Sequence, residues 1–135
     1  MLGSGTILFI DSDPEQNNLN QCIFYPRGFT VLTATTIAHA RRVLIEHEPD
    51  IIMMEAILPD GDGFEFIKEL RSITDASIVF LTYRAGDKDV IEGLNLGASD
   101  YIKKPFYSDL LVARVDLAMR NRNKGQRAEA RSYEF

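Results

Sequence analysis

The stretch that decides the fold is PDIIMMEAILPDGDGFEF, Pro49 to Phe66. Ile51 to Met54 make an apolar run of strand length with no polar alternation, the mark of a strand buried on both faces. Glu55 stands at its end. Pro59 and Gly61 then enforce a turn before helical spacing begins near Phe66. A strand covered on both faces, then a polar turn, then a helix, is the repeating unit of a parallel α/β sheet.

Working outward, strand-sized apolar runs recur at TILFI (6–10), FTVL (29–32), SIVFL (77–81) and DYIK (100–103). Between them lie segments with apolar residues three and four apart: Leu19, Cys22 and Ile23; Ile37, Ala40 and Leu44; Phe66, Leu70 and Ile73; Val90, Ile91 and Leu94; Leu110, Ala113 and Leu117. Asp13-Pro14-Glu15-Gln16 offers an N-cap, a first-turn proline and a capping-box glutamine, and Thr36, Asp87 and Ser108 are the caps expected for later helices. The alternation predicts a doubly wound α/β domain with a five-stranded parallel sheet and helices on both faces.

The 135 residues suit one domain, and 45% hydrophobic with 26% charged residues is an ordinary globular balance. We expect the domain over residues 1–121 and a linker or tail over 122–135. The segment from Arg120 onward, with five bases against two acids, is the end of the last helix plus a linker, or a connector to an output domain. A net charge of −5 argues against direct nucleic-acid binding by this domain. No apolar run approaches bilayer length, and the start lacks the basic region of an export signal, so the expected location is the cytoplasm, without a membrane role. Cys22 is the single cysteine; it excludes an intrachain disulfide and reads as packing. His39 and His47, among Arg41, Arg42, Glu46 and Glu48, read as solvated surface. Asp60, Asp62 and Glu65 form a polar turn without the ligand spacing of an EF-hand.

In a doubly wound sheet, chemistry collects beyond the carboxyl ends of the strands. There the chain presents Asp11, Ser12 and Asp13 after the first strand, Glu55 after the third, Thr82 after the fourth and Lys104 after the fifth. Clustered carboxylates need a cation, and Lys104 is a ready point charge. Carboxylates, a hydroxyl and an ammonium form the inventory of phosphoryl chemistry.

Four ordered blocks, ILFIDSD, PDIIMMEAILPDGDGFEF, IVFLT and GASDYIKKPF, make the chain from Thr6 to about Asn121 resemble the receiver domain of two-component response regulators. The resemblance implies a flavodoxin-like sheet of strand order 2-1-3-4-5, an order of which a member of this family is itself a standard example. It implies no enzyme of independent turnover but a signalling module in a phosphorelay. An Asp at the end of the third strand accepts a phosphoryl group from a sensor histidine kinase. An acidic pair after the first strand holds magnesium beside it. The positions of Thr82 and Lys104 contact the phosphoryl oxygens, and the aromatic at Tyr101 is the switch that turns inward. Lys104-Pro105 matches a bond that is usually cis in the family. The face from the fourth helix through the fifth is the surface used for protein partners, an output domain or a homodimer.

The chain departs from that pattern at the reactive end. Glu55 holds the phosphoacceptor position, Ser12 replaces the second acid of the pocket shared with Asp11, and Tyr83 is bulky where a small residue is usual. One extra methylene pushes the carboxylate roughly 1 Å deeper, a misplacement able to cost about 10²-fold in rate. Ser12 is a poorer ligand for a hard cation, so Asp11 and Glu55 would hold magnesium only weakly. The expectation is an atypical receiver, not normally phosphorylated, that signals by protein interaction. Glu55 either pairs with Lys104 and biases the domain to one conformation, or neutralises it in a relic pocket. The alternative from another class is a haloacid-dehalogenase-like phosphohydrolase, with Asp11 as nucleophile and Asp13 as acid.

Overall fold

The computed structural model describes residues 5–132, with side chains described through residue 122. Five strands form one parallel sheet: β1 (Thr6–Ile10), β2 (Thr30–Ala34), β3 (Ile51–Met54), β4 (Ser77–Thr82) and β5 (Asp100–Lys103). Their spatial order is β2-β1-β3-β4-β5, the doubly wound flavodoxin-like arrangement expected. Five helices alternate with them: α1 (Pro14–Phe24), α2 (Ile37–Glu46), α3 (Gly63–Ile73), α4 (Asp87–Asn95) and α5 (Ser108–Ser132). A two-residue antiparallel ladder, Ile57–Leu58 against Gly61–Asp62, closes the turn after β3.

Successive strand residues point to opposite faces, which splits the apolar runs into two cores. Leu8, Ile10, Ile52, Met54, Ile78 and Phe80 pack with α2 and α3 residues such as Ala40, Phe64 and Leu70. Ile7, Phe9, Met53, Val79, Leu81 and Ile102 pack with Phe24 of α1 and with Leu111 and Val115 of α5.

Several helical stripes differ from the sequence reading, α1 and α5 most clearly. On α1 the buried residues are Asn17, Asn20 and Phe24, while Leu19 is 60% exposed and Cys22 is exposed rather than packed. Asn17 Nδ2 donates to the main-chain oxygen of Asp11 (2.9 Å), whereas Asn17 Oδ1 and Asn20 Nδ2 have no partner among the described residues. On α5 the buried pair is Leu111 and Val115; Leu110 and Leu117 are exposed, out of phase with the expected stripe. Ile73, Ile91 and Leu94 are likewise exposed. His47 is exposed, but His39 is half-buried and its Nδ1 accepts the Thr35 N–H.

Local competition for donors decides the caps as well. Asp13 accepts the Glu15 N–H and Thr36 the His39 N–H, as expected. Gln16 donates to Asn20 Oδ1 rather than closing a capping box. Asp87 and Ser108 are the first residues inside their helices; Gly86 caps α4, and Asp89 Oδ2 accepts the Gly86 N–H (3.1 Å). Asp60 performs a capping task absent from the sequence reading: its two oxygens accept the N–H groups of Ile37 and Ala38 (2.9 and 3.0 Å), tying the turn after β3 to α2. The helix α5 is unbroken at residue 121, so the stretch expected as a linker or tail begins inside it; residues 1–4 and 133–135 lie outside those described.

Candidate functional site

The parallel register brings the strand ends level. The main-chain bonds Asp11 N–H to Ala34 O (3.0 Å), Glu55 N–H to Ile10 O (2.9 Å) and Lys104 N–H to Thr82 O (2.9 Å) extend the ladder one residue past each strand. Those residues therefore share one edge of the sheet. Asp11, Glu55, Thr82 and Lys104 are all buried there, each at most 8% exposed. Lys104-Pro105 is cis.

Lys104 is shared between two acids. Its Nζ lies 2.5 Å from Asp11 Oδ2 and 3.2 Å from Glu55 Oε2. Burial pulls the ammonium toward the neutral form, but the hydrogen bond and charge of Asp11, followed by those of Glu55, outweigh it and hold Lys104 above its usual value.

Glu55 is saturated by donors from three directions. Its Oε1 accepts the Ile57 N–H (3.1 Å) and the Thr82 hydroxyl. Its Oε2 accepts the Lys104 ammonium and the Tyr83 N–H (3.4 Å). Two backbone amides, a hydroxyl and an ammonium converging on one buried carboxylate form an anion seat, and the protein's own side chain fills it. The backbone donors of Ile57 and Tyr83 were not legible as site groups, since their role depends on chain direction rather than residue type.

The other expected members are not all gathered here. Ser12 is exposed and adds no donor to the buried set. Asp13 is exposed and spends Oδ1 on the α1 cap, so Asp11 and Asp13 do not converge on Lys104 as the phosphohydrolase reading requires. Tyr83 is 67% exposed, and its ring centroid lies 5.2 Å from Lys104 Nζ, at the mouth of the cleft.

Magnesium, which the resemblance implies, can be tested against the donor set. Asp11 Oδ1 accepts the Asp13 N–H (2.9 Å), Asp11 Oδ2 and Glu55 Oε2 take Lys104, and Glu55 Oε1 takes Ile57 and Thr82. Each carboxylate oxygen already has a donor, and no third acidic side chain joins the pair among the described residues. As arranged, the site does not fit a divalent cation, which prefers oxygen ligands free of ammonium.

Tyr101 on β5 is half-buried, its ring packed on Phe80 (centroids 5.6 Å apart) and Phe64 (6.3 Å), and its hydroxyl donates to the Arg84 main-chain oxygen. Burial pushes its phenol up to about 12. Gly93 of α4 makes the room: a Cβ there would lie 2.8 Å from Tyr101 Cε2 and 3.2 Å from Phe80 Cδ2. The ring therefore occupies an inward seat. Arg84, absent from the sequence reading, sits two residues past Thr82 and touches both sides of this seat.

A family model described as the response regulator receiver domain matches residues 7–116. The transcriptional regulatory protein KdpE of Mycobacterium tuberculosis is 35% identical over 114 residues, which cover 84% of this chain and 50% of that protein. The aerobic respiration control protein ArcA of Escherichia coli is 34% identical over 134 residues, or 96% of this chain and 56% of that protein. The chain thus spans about half the length of the curated relatives it matches. The crystal structure of a two-component response regulator from Clostridium difficile aligns with a TM-score of 0.86 at 31% identity, covering 89% of this chain and 99% of that one.

Proposed function

Because the chain belongs to the response regulator receiver family of two-component signalling, we propose that it is an atypical receiver in which Glu55 substitutes for both the acceptor and its phosphoryl charge. The observation that carries this reading is the filled anion seat. The Thr82 hydroxyl, the Lys104 ammonium and the amides of Ile57 and Tyr83 already meet on Glu55. An incoming phosphoryl group would have to displace that carboxylate from its donors. The inward Tyr101 goes with the same reading, since the hydroxyl of Thr82 is drawn toward Glu55 as it would be toward a phosphoryl oxygen.

Such a domain signals by binding and not by turnover, and it works in the cytoplasm, with magnesium disfavoured by the Lys104 ammonium on Asp11 and Glu55 and by the lack of a carboxylate at Ser12. Its partners are proteins: a sensor histidine kinase, or an output region reached through the segment from residue 122. Exposed Ile91 and Leu94 on α4, with Leu110 and Leu117 on α5, supply apolar surface for a homodimer or an output contact. The receiver proper is residues 1–121.

The test is intact mass spectrometry after incubation with acetyl phosphate and magnesium. The expected result is no added phosphate. A rapid gain of one phosphate, lost in Glu55→Ala, overturns the reading.

A further inference from the structure

The helix α5 runs on to Ser132, well past residue 116, where the family match ends. Its sheet-facing side continues beyond that point. Leu111 and Val115 are buried, and Ala118 and Met119, three and four residues further on, pack against the same cluster. Arg122 is next in that series, and its side chain is only 16% exposed. There the strands have ended, and its neighbours are groups of the loops that lead into β3 and β4.

The Arg122 guanidinium bridges those two loops. Nη1 donates to the main-chain oxygen of Asp75 (2.9 Å), and Nη2 lies 4.0 Å from Oδ1 of Asp50. Asp50 is itself fixed: Oδ2 accepts the Thr6 N–H (2.8 Å), its own N–H donates to the Thr6 carbonyl (2.8 Å), and its carbonyl accepts the Ser77 N–H (3.0 Å). It therefore joins the starts of β1, β3 and β4. A Cβ on Gly5 would lie 2.9 Å from Met119 Cε and 3.0 Å from Asp50 Oδ2, so the chain entering β1 is pressed against the same turn of α5. A groove of about 650 Å3, lined in part by Glu48, Arg71 and Thr74, opens beside Arg122. The guanidinium is thus held by its acceptors and not by close packing all round. A planar fork with several donors suits that task, since it can hold a carbonyl and a carboxylate in fixed directions.

The geometry points to Arg122 as a positioning residue that clamps the last helix to the amino-terminal edge of the sheet, so that α5 leaves the domain along one line. A terminal helix frays unless it is tied down. At a rise of about 1.5 Å per residue, the stretch from 122 to 132 reaches about 15 Å beyond the clamp. An output region joined to it would turn with the receiver as one body instead of swinging on a linker. The assignment goes beyond the reading of Glu55 and does not depend on it, because the clamp and the cleft lie at opposite edges of the sheet. A bond that merely added stability could be removed without changing the direction of exit.

The experiment is double electron–electron resonance on the full chain, joined to amide hydrogen exchange. Nitroxide labels are placed in a Cys22→Ser background, since Cys22 is exposed and would label as well. One pair, Ile45→Cys on α2 with Glu129→Cys on α5, reads the direction of exit; Ile45 is 81% exposed and tolerates a label. A second pair, Ile45→Cys with the exposed Asp116→Cys, reads α5 inside the domain. Both distance distributions should be narrow when Arg122 is present. Arg122→Ala should broaden the first and leave the second unchanged. Exchange of the amides from 118 to 122 should rise by at least about tenfold, the factor that loss of a charge-assisted bond confers on local opening, while β3 and β4 stay protected. Arg122→Lys, which keeps the charge and one point donor on a flexible stem, should fall between the two. A first distribution that is broad with Arg122 present, or still narrow in Arg122→Ala, overturns the assignment. Faster exchange that spreads through β3 and β4 makes Arg122 a general stabiliser and overturns it too, and a lysine variant looser than the alanine one counts against it.

Discussion

Glu55 and Thr82 are bonded side chain to side chain at the buried floor of the cleft, the threonine hydroxyl donating to Oε1. The pairing explains why a carboxylate one methylene longer than aspartate is accommodated. Its extra reach is spent on donors that line the seat, and its burial is compensated by Lys104, shared with Asp11.

Lys104→Ala should be the most damaging single change at the site. It leaves Asp11 and Glu55 buried together without their cation, and breaking such a pair costs about 3–5 kcal/mol. Glu55→Ala should cost less, about 1–3 kcal/mol, because Lys104 keeps Asp11. Urea unfolding of the two variants should give that order; the reverse order would show that the two carboxylates are held by their other donors without the ammonium.

Shortening the acid should reopen the seat. Glu55→Asp withdraws the carboxylate from the Thr82 and Tyr83 donors, and Ser12→Asp restores a second acid beside Asp11. Phosphate incorporation from acetyl phosphate with magnesium should be slow in Glu55→Asp and at least about tenfold faster in the double variant, because a second carboxylate makes the pocket a better ligand set for a hard cation. Equal rates would mean that Ser12 is irrelevant to the departure.

Alkaline stability should depend on Tyr101. Its folded phenol titrates at about 12 against 10.0 for the free group, so the folded state holds the proton more tightly. The corresponding stabilisation is complete below the unfolded value of 10.0 and is lost as pH rises toward about 12. Melting temperatures across that alkaline window should therefore fall less steeply in Tyr101→Phe than in the wild type.

Asp60 gives the opposite sign at acid pH. The N–H groups of Ile37 and Ala38, by hydrogen bonding its carboxylate, hold it below the usual range. Its contribution is present above the unfolded carboxyl value and is lost as pH falls through the folded one. Asp60→Ala should lower the denaturation midpoint at neutral pH, as loss of an N-cap does, and the gap between variant and wild type should close in acid. A gap that persists once the folded carboxyl is protonated would assign the loss to packing.

The phase of α5 can be checked with one pair of substitutions. Leu111→Ala empties a fully buried site and should cost about 2–5 kcal/mol. Leu110→Ala, at a position 40% exposed, should cost under about 1 kcal/mol. Denaturation midpoints distinguish them directly.

The same residues show where the sequence was legible. Apolar runs such as Ile51–Met54 are unambiguous because both faces of a central strand are covered, and the strand order then brings Asp11, Glu55, Thr82 and Lys104 to one edge. Helical stripes were less secure. On α1, Asn17 and Asn20 are buried, and Asn17 satisfies the main-chain oxygen of Asp11 at the end of β1, a tertiary demand that hydrophobic spacing cannot express. On α5, Leu110, Leu111, Val112, Val115 and Leu117 nearly encircle the helix, so periodicity alone leaves its phase open. Arg84 was invisible for a different reason: its importance comes from main-chain groups that every residue possesses and from acids as far apart in sequence as Asp62 and Glu92.

The recess at Gly93 ties two distant positions into one steric choice. A Cβ at position 93 would meet the Tyr101 ring at 2.8 Å, so the ring or the helix would have to shift and the two positions are sterically linked. Alanine at the first would press on the ring at the second and on the bond its hydroxyl makes to the Arg84 carbonyl. A single absent methyl group thus sets which aromatic vocabulary this edge of the protein can use.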